Sequence, residues 1–224
     1  QTDMESVMNS LKARAFLFDM DGTLVDSSIK VEQIWRIWCE RHGIDLASVM
    51  AIQQGVRSED TIRRIAPQLD IAAECAWIDE MEATDCEGII EVAGACAVLA
   101  QIPIERWTIA MSACIAPATA RLQFCQLPIP ATMVCAEHVA AGKPDPQIYR
   151  LAARQIGQQP ADCIAFEDAP AGVASALAAG CSVIQIGGES RLHPDVLCVL
   201  ANFSAVRVSL DGDDLLLHLP ESLF

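Results

Sequence analysis

Four short stretches of the chain are almost continuously apolar: Ala15-Phe16-Leu17-Phe18, Trp107-Thr108-Ile109-Ala110-Met111, Cys163-Ile164-Ala165-Phe166 and Ser182-Val183-Ile184-Gln185-Ile186. Runs with no polar alternation predict central strands of a parallel sheet, covered by helices on both faces. The segments after them carry helix signals. Asp145-Pro146 offers an N-cap and a proline at the first helical position, with Gly157 as a stop. Pro170 to Gly180 repeats that asymmetry, so the uncharged run from Ala169 to Gly188 reads as helix, glycine stop and strand rather than as a membrane span. The reading is α/β: a doubly wound, Rossmann-like parallel-sheet core.

Residues 28–88 contain no convincing strand. Val31, Ile34, Trp35 and Trp38 recur at helical spacing before Gly43, which can end that helix. Ser58 can cap a helix running to about Ala66, and Asp70 another with Ile71, Cys75 and Ile78 on one face. The pattern predicts an inserted α-helical cap over 28–88, with residues 1–27 and 89–224 forming the core. Trp35 and Trp38 are expected in the cap's own interior. Val206 to Leu210, Asp211-Gly212 and a second apolar run predict a C-terminal β-hairpin.

Composition narrows the classes. At 224 residues the chain is one large domain or one domain with an insertion, and 52% hydrophobic residues exclude disorder. Thirty acidic residues against 15 basic ones give a net charge of -15, which disfavours nucleic acid and anionic membranes as partners. The ten cysteines form no CxxC pair, so the expectation is buried free thiols in a reducing compartment and no structural zinc. Residues 1–10 lack an apolar signal region, which points to a cytoplasmic protein, a monomer or small homo-oligomer.

Chemistry-bearing residues stand just after the apolar runs. Asp19-Met20-Asp21-Gly22-Thr23 follows the first, where the carboxyl end of a parallel strand faces the ligand crevice. A calcium loop fails on spacing, because Leu24 stands where that loop needs glycine and Lys30 where it needs glutamate. Glu167-Asp168 follows the third run. Carboxylates gathered from adjacent strand ends repel one another unless a cation or a proton-transfer task holds them, and a hard cation such as Mg²⁺ suits them. Lys143, one of three lysines, sits in Gly142-Lys143-Pro144-Asp145-Pro146. Glu137 and Pro144 exclude a Walker loop there. Ser112 ends the second run, where its hydroxyl and the next backbone N–H, that of Ala113, can bind a phosphate oxygen. Taken singly, each group also has a plain structural reading: a strand-ending turn, helix N-terminal acids, a solvated lysine, a loop serine.

In combination and in this order, these groups resemble the haloacid dehalogenase (HAD) superfamily of phosphotransferases. The stretches FLFDMDGTLVDS (16–27), VEQIW…RHG (31–43), EATDCEGI (82–89), GKPDPQIY (142–149) and FEDAPAGVASALAAGC (166–181) are most similar to its bacterial sugar phosphatases, the hexitol phosphatase type included, and next to its β-phosphoglucomutases. The resemblance implies that Asp19 attacks phosphorus and forms an aspartyl phosphate. Asp21 then protonates the leaving alcohol and later activates water. It further implies Mg²⁺ held by Asp19, the Asp21 backbone carbonyl and Asp168, with Glu167 a ligand or a neighbour of one. Ser112, Ala113 and Lys143 would hold the phosphoryl group of a small phosphorylated metabolite.

Val31 stands where the mutases usually carry histidine, which favours hydrolysis over the mutase alternative; a non-catalytic phosphometabolite-binding protein is the other alternative. Residues 55–61 are similar to the cap loop that contacts the sugar in the mutases, which implies substrate contacts at Gln54, Gly55 and Arg57, although Arg57-Ser58 reverses the usual order. Met111, Cys114, Ala140, Ala141 and Ala93 are further departures, none at a position with a named catalytic role.

Overall fold

The computed structural model describes residues 8–220 and Leu223. In chain order the strands and helices are β1 (Met8–Ala13), β2 (Ala15–Phe18), β3 (Val25–Asp26), α1 (Ser28–His42), α2 (Leu46–Met50), α3 (Ser58–Ile65), α4 (Ile71–Thr84), β4 (Ile90–Glu91), α5 (Ala95–Leu99), β5 (Trp107–Ala110), α6 (Ile115–Phe124) and β6 (Met133–Val134). There follow α7 (Gln147–Gln155), β7 (Cys163–Glu167), α8 (Pro170–Ala179), β8 (Ser182–Ile186), β9 (Val199–Leu200), β10 (Arg207–Asp211) and β11 (Asp214–Pro220).

The main sheet is parallel with order β6-β5-β2-β7-β8-β9, so β2 lies between β5 and β7. Its pleat sorts side chains by parity. Phe16 and Phe18 enter one core with Ile109 and Phe166, and Phe18 stacks on Phe166 at 4.7 Å. Ala15 and Leu17 enter the other with Ala165, Val183 and Tyr149. Burying a Leu or Phe side chain of this kind contributes about 1.5–3 kcal/mol, and doing so on both faces places the strand ends rigidly. The register sets Phe18 beside both Ile109 and Phe166, so residues 19, 112 and 168 emerge together at the carboxyl edge.

Helices α1 to α4 pack around a separate interior that includes Trp38, Ile34, Val49, Ile62 and Ile78. Trp35 and Trp38 are buried there, as the periodicity predicts. The helices connect to the sheet through β3 and β4, which pair antiparallel with Val25 opposite Glu91. Gly43 ends α1 in the left-handed conformation, and the Asp70 side chain accepts from the Ala73 N–H at the start of α4. Two capping expectations are corrected. Arg57 occupies the N-cap of α3, so Ser58 is the first helical residue. Helix α7 starts at Gln147, with Pro146 as cap and Asp145 accepting from the Gln147 N–H.

The C-terminal hairpin forms from β10 and β11, and β1 adds to it as a third antiparallel strand, Leu11 facing Leu217. All ten cysteines are free thiols; six are buried, whereas Cys75, Cys96, Cys114 and Cys125 are half-buried, which corrects the expectation of uniform burial. Among the described residues no helix is long and apolar enough to cross a membrane.

Candidate active site

Asp19 is the first residue beyond β2, and its N–H donates to the Phe166 carbonyl at 3.0 Å. The chain then folds back tightly: the Leu24 and Val25 N–H groups both donate to the Met20 carbonyl. Gly22 has φ 85°, and a Cβ there would lie 2.0 Å from Asp168 Oδ2. The glycine is thus required twice, by its left-handed backbone and by the carboxylate packed against it. Gly22→Ala is expected to cost about 2 kcal/mol or more, with a fall in thermal midpoint and in turnover; unchanged values would show that Asp168 does not sit against this loop.

Asp19, Glu167 and Asp168 bring their carboxylate oxygens within 4.8 Å of one another. Lys143, fully buried, reaches in from the loop before α7. Its Nζ lies 2.6 Å from both Asp19 Oδ1 and Glu167 Oε1, and the Tyr149 hydroxyl donates to the same Glu167 oxygen at 2.6 Å. Burial and the neighbouring Glu167 hold the Asp19 carboxyl well above its usual range, against the opposing pull of Lys143. Burial and Glu167 likewise push Asp168 up to about 7. For Lys143, the two carboxylates outweigh burial and keep the ammonium protonated. Among the described residues, Glu167 Oε2 and Asp168 Oδ1 are buried without a hydrogen-bond partner. Unpartnered oxygens beside crowded carboxylates are what a hard divalent cation satisfies.

The Asp21 side chain has polar partners of its own, distinct from those of Asp19. Ser27 Oγ donates to its Oδ1 at 2.6 Å, and Arg121 Nη1 lies 2.5 Å from its Oδ2. Arg121 comes from α6 and is 1% exposed. Its Nη2 lies 3.1 Å from Glu82 Oε1 of α4. Burial raises the Glu82 carboxyl above its ordinary range although Arg121 opposes this. Ser112 Oγ donates to the Gly55 carbonyl at 2.8 Å, and Gln54 Nε2 donates to Asp168 Oδ2 at 3.2 Å. A pocket between sheet edge and helices is lined by Asp19, Asp21, Ser112, Ala113 and Gly55 from the predicted set.

Arg57 is not brought to this pocket. Its guanidinium is held by both Asp60 oxygens, at 2.7 and 3.1 Å, and by the Val139 carbonyl at 3.3 Å, and it lines a neighbouring pocket that shares Ser58 and Ser112 with this one. Four residues that the sequence reading left without a role do reach the site: Ser27, Glu82, Arg121 and Tyr149. A signal existed for two of them. Arg121 follows Ala118 and precedes Leu122 on the buried face of α6, and Glu82 stands four residues after buried Ile78 in α4. A charged side chain on an apolar face requires a partner.

A parallel α/β sheet that gathers carboxylates and a buried lysine at its carboxyl edge, under inserted helices, defines an enzyme with its site at the strand ends. The chain belongs to the haloacid dehalogenase-like hydrolases, whose family model matches residues 13–180. It is 42% identical over 188 residues to hexitol phosphatase A of Escherichia coli, covering 80% of this chain and 86% of that protein. It is 34% identical over 192 residues to glycerol-1-phosphate phosphohydrolase 2 of Saccharomyces cerevisiae, covering 79% and 76%. Its fold is similar to that of a hydrolase from Pseudomonas syringae, with TM-score 0.74, 23% identity, and coverage of 84% and 93%.

Proposed function

We propose that this hydrolase is a Mg²⁺-dependent phosphatase of small sugar or sugar-alcohol phosphates, working through an aspartyl phosphate on Asp19. The carrying observation is Lys143 Nζ held 2.6 Å from Asp19 Oδ1 inside the carboxylate cluster. An ammonium there orients the nucleophile and offsets negative charge on the incoming phosphoryl group. The names and identities of the relatives support the substrate class.

Asp19, Asp168 and the Asp21 main-chain carbonyl, with Glu167 beside them, are the groups that would hold Mg²⁺, which when bound would neutralise phosphoryl oxygens. Asp19 attacks phosphorus in line, and the ester bond to the leaving oxygen breaks as the new P–O bond forms. Asp21 gives its proton to that oxygen, then takes one from the water that hydrolyses the mixed anhydride. Lys143, the Ser112 hydroxyl and the Ala113 N–H hold the phosphoryl oxygens. For this the Ser112 proton must turn from the Gly55 carbonyl to the substrate.

Phosphate release from a panel of sugar, hexitol and glycerol phosphates tests the reading. Release with Mg²⁺, lost on chelation, is expected. No release from any substrate would end it, and glucose 1-phosphate converted to glucose 6-phosphate without release would make the protein a mutase.

A pH dependence follows from Asp168. A carboxyl raised to about 7 when folded contributes stability that is complete below its unfolded value and is lost as pH rises through about 7. The metal-free protein is therefore expected to lose stability across this window. Mg²⁺ should raise the thermal midpoint near pH 8 more than near pH 5, about where the carboxylates are respectively ionised and partly protonated. An equal shift at both pH values would exclude Asp168 from the cation site.

A further inference from the structure

The Asp21 side of the pocket holds a buried pair that the hydrolytic steps leave unused. Arg121 lines the pocket with Glu82, Trp35 and Val31. Its Nε is buried without a hydrogen-bond partner, and its Nη2 faces Glu82 at 3.1 Å without an aligned hydrogen bond. A guanidinium 1% exposed with unused N–H groups is costly unless something else accepts from it.

We propose that Glu82 and Arg121 form a clamp for the hydroxyl on the carbon next to the phosphoester, restricting the enzyme to polyol-type phosphates. The inference rests on the phosphatase reading and names the feature of the leaving group that is recognised. Three observations carry it. The first is position: Arg121 Nη1 is 2.5 Å from Asp21, the group assigned to the ester oxygen, and vicinal oxygens of a polyol lie about one hydrogen-bond length apart.

The second is chemistry. A guanidinium offers donors and a carboxylate offers acceptors, which together match a hydroxyl, at once acceptor and donor. A second anionic group would face Glu82 and Asp21, a cationic one would face Arg121, and an apolar one would leave the pair unsatisfied. The third is the rest of the lining. Trp35 and Val31 present apolar surface suited to the C–H faces of a polyol chain.

The test compares kcat/KM for glycerol 1-phosphate with that for 3-hydroxypropyl phosphate, which lacks only the hydroxyl beside the ester. Wild type is expected to prefer glycerol 1-phosphate by about tenfold or more, because a site built to hydrogen-bond a hydroxyl rejects the analogue lacking it. Glu82→Leu should erase most of that preference, lowering glycerol 1-phosphate turnover far more than that of the analogue. Glu82→Gln, which keeps the shape and one acceptor, should retain an intermediate preference and decides the matter if Glu82→Leu does not fold. Equal wild-type rates on the two esters, or a Glu82 variant that lowers both in proportion, would overturn the clamp and leave the phosphatase reading standing. No phosphate from these esters or from the wider panel would overturn both.

Discussion

Lys143→Met is expected to destabilise the protein by about 3–5 kcal/mol, the usual cost of removing one partner from a buried ion pair, and to abolish turnover. The Lys143 side chain is 0% exposed and touches Asp19 and Glu167 through the same Nζ. Without it three carboxyl groups remain packed together with no cation of the protein's own among them. Protonation offers partial relief, since Asp19 and Asp168 are already raised by burial and by Glu167. The sign follows: groups with raised folded values stabilise at low pH, so the deficit of Lys143→Met should grow as pH rises from about 5 to 8. Urea unfolding of metal-free protein at the two pH values measures it, and a deficit that shrinks on raising the pH would contradict the assigned charges. Lys143→Arg is not expected to rescue, because a planar fork cannot replace a compact ammonium between two oxygens 2.6 Å away.

Asp19→Asn should have the opposite effect on stability and a comparably severe one on activity. The amide is a neutral isostere of a carboxyl whose charged form the fold disfavours. The metal-free variant should therefore be at least as stable as wild type near neutral pH. Turnover should fall by about 10⁴–10⁶-fold, the scale at which removal of a nucleophile registers. Measured together, a thermal midpoint preserved and phosphate release lost separate chemistry from folding. A variant that is both unstable and inactive would leave Asp19 as a structural partner of Lys143.

The carboxyl edge of the sheet was legible in the sequence because both faces of β2, β5 and β7 are buried, which leaves continuous apolar runs with carboxylates or a serine just beyond their ends. What escaped has physical reasons. Strand β1 offers only Leu11 and Ala13 as described buried or half-buried apolar positions, and its pairing is dictated by the alternation of Leu215, Leu217 and Leu219 across the ladder. Strands β6 and β9 are two residues each, too short for any period to register. Glu82 and Arg121 come from α4 and α6, 39 positions apart, and only tertiary packing brings them together. Arg57 has a partner close in sequence: Asp60, three residues on, takes both arms of its guanidinium.

The covalent step is the centre of this account, and mass spectrometry after acid quench addresses it directly. Wild-type protein mixed with a hexitol phosphate and Mg²⁺, then quenched during turnover, should carry one phosphoryl group on the peptide containing Asp19, and Asp19→Asn should carry none. Undiminished phosphate release by Asp19→Asn, or a phosphoryl group found on another residue, would contradict the role of Asp19 as nucleophile.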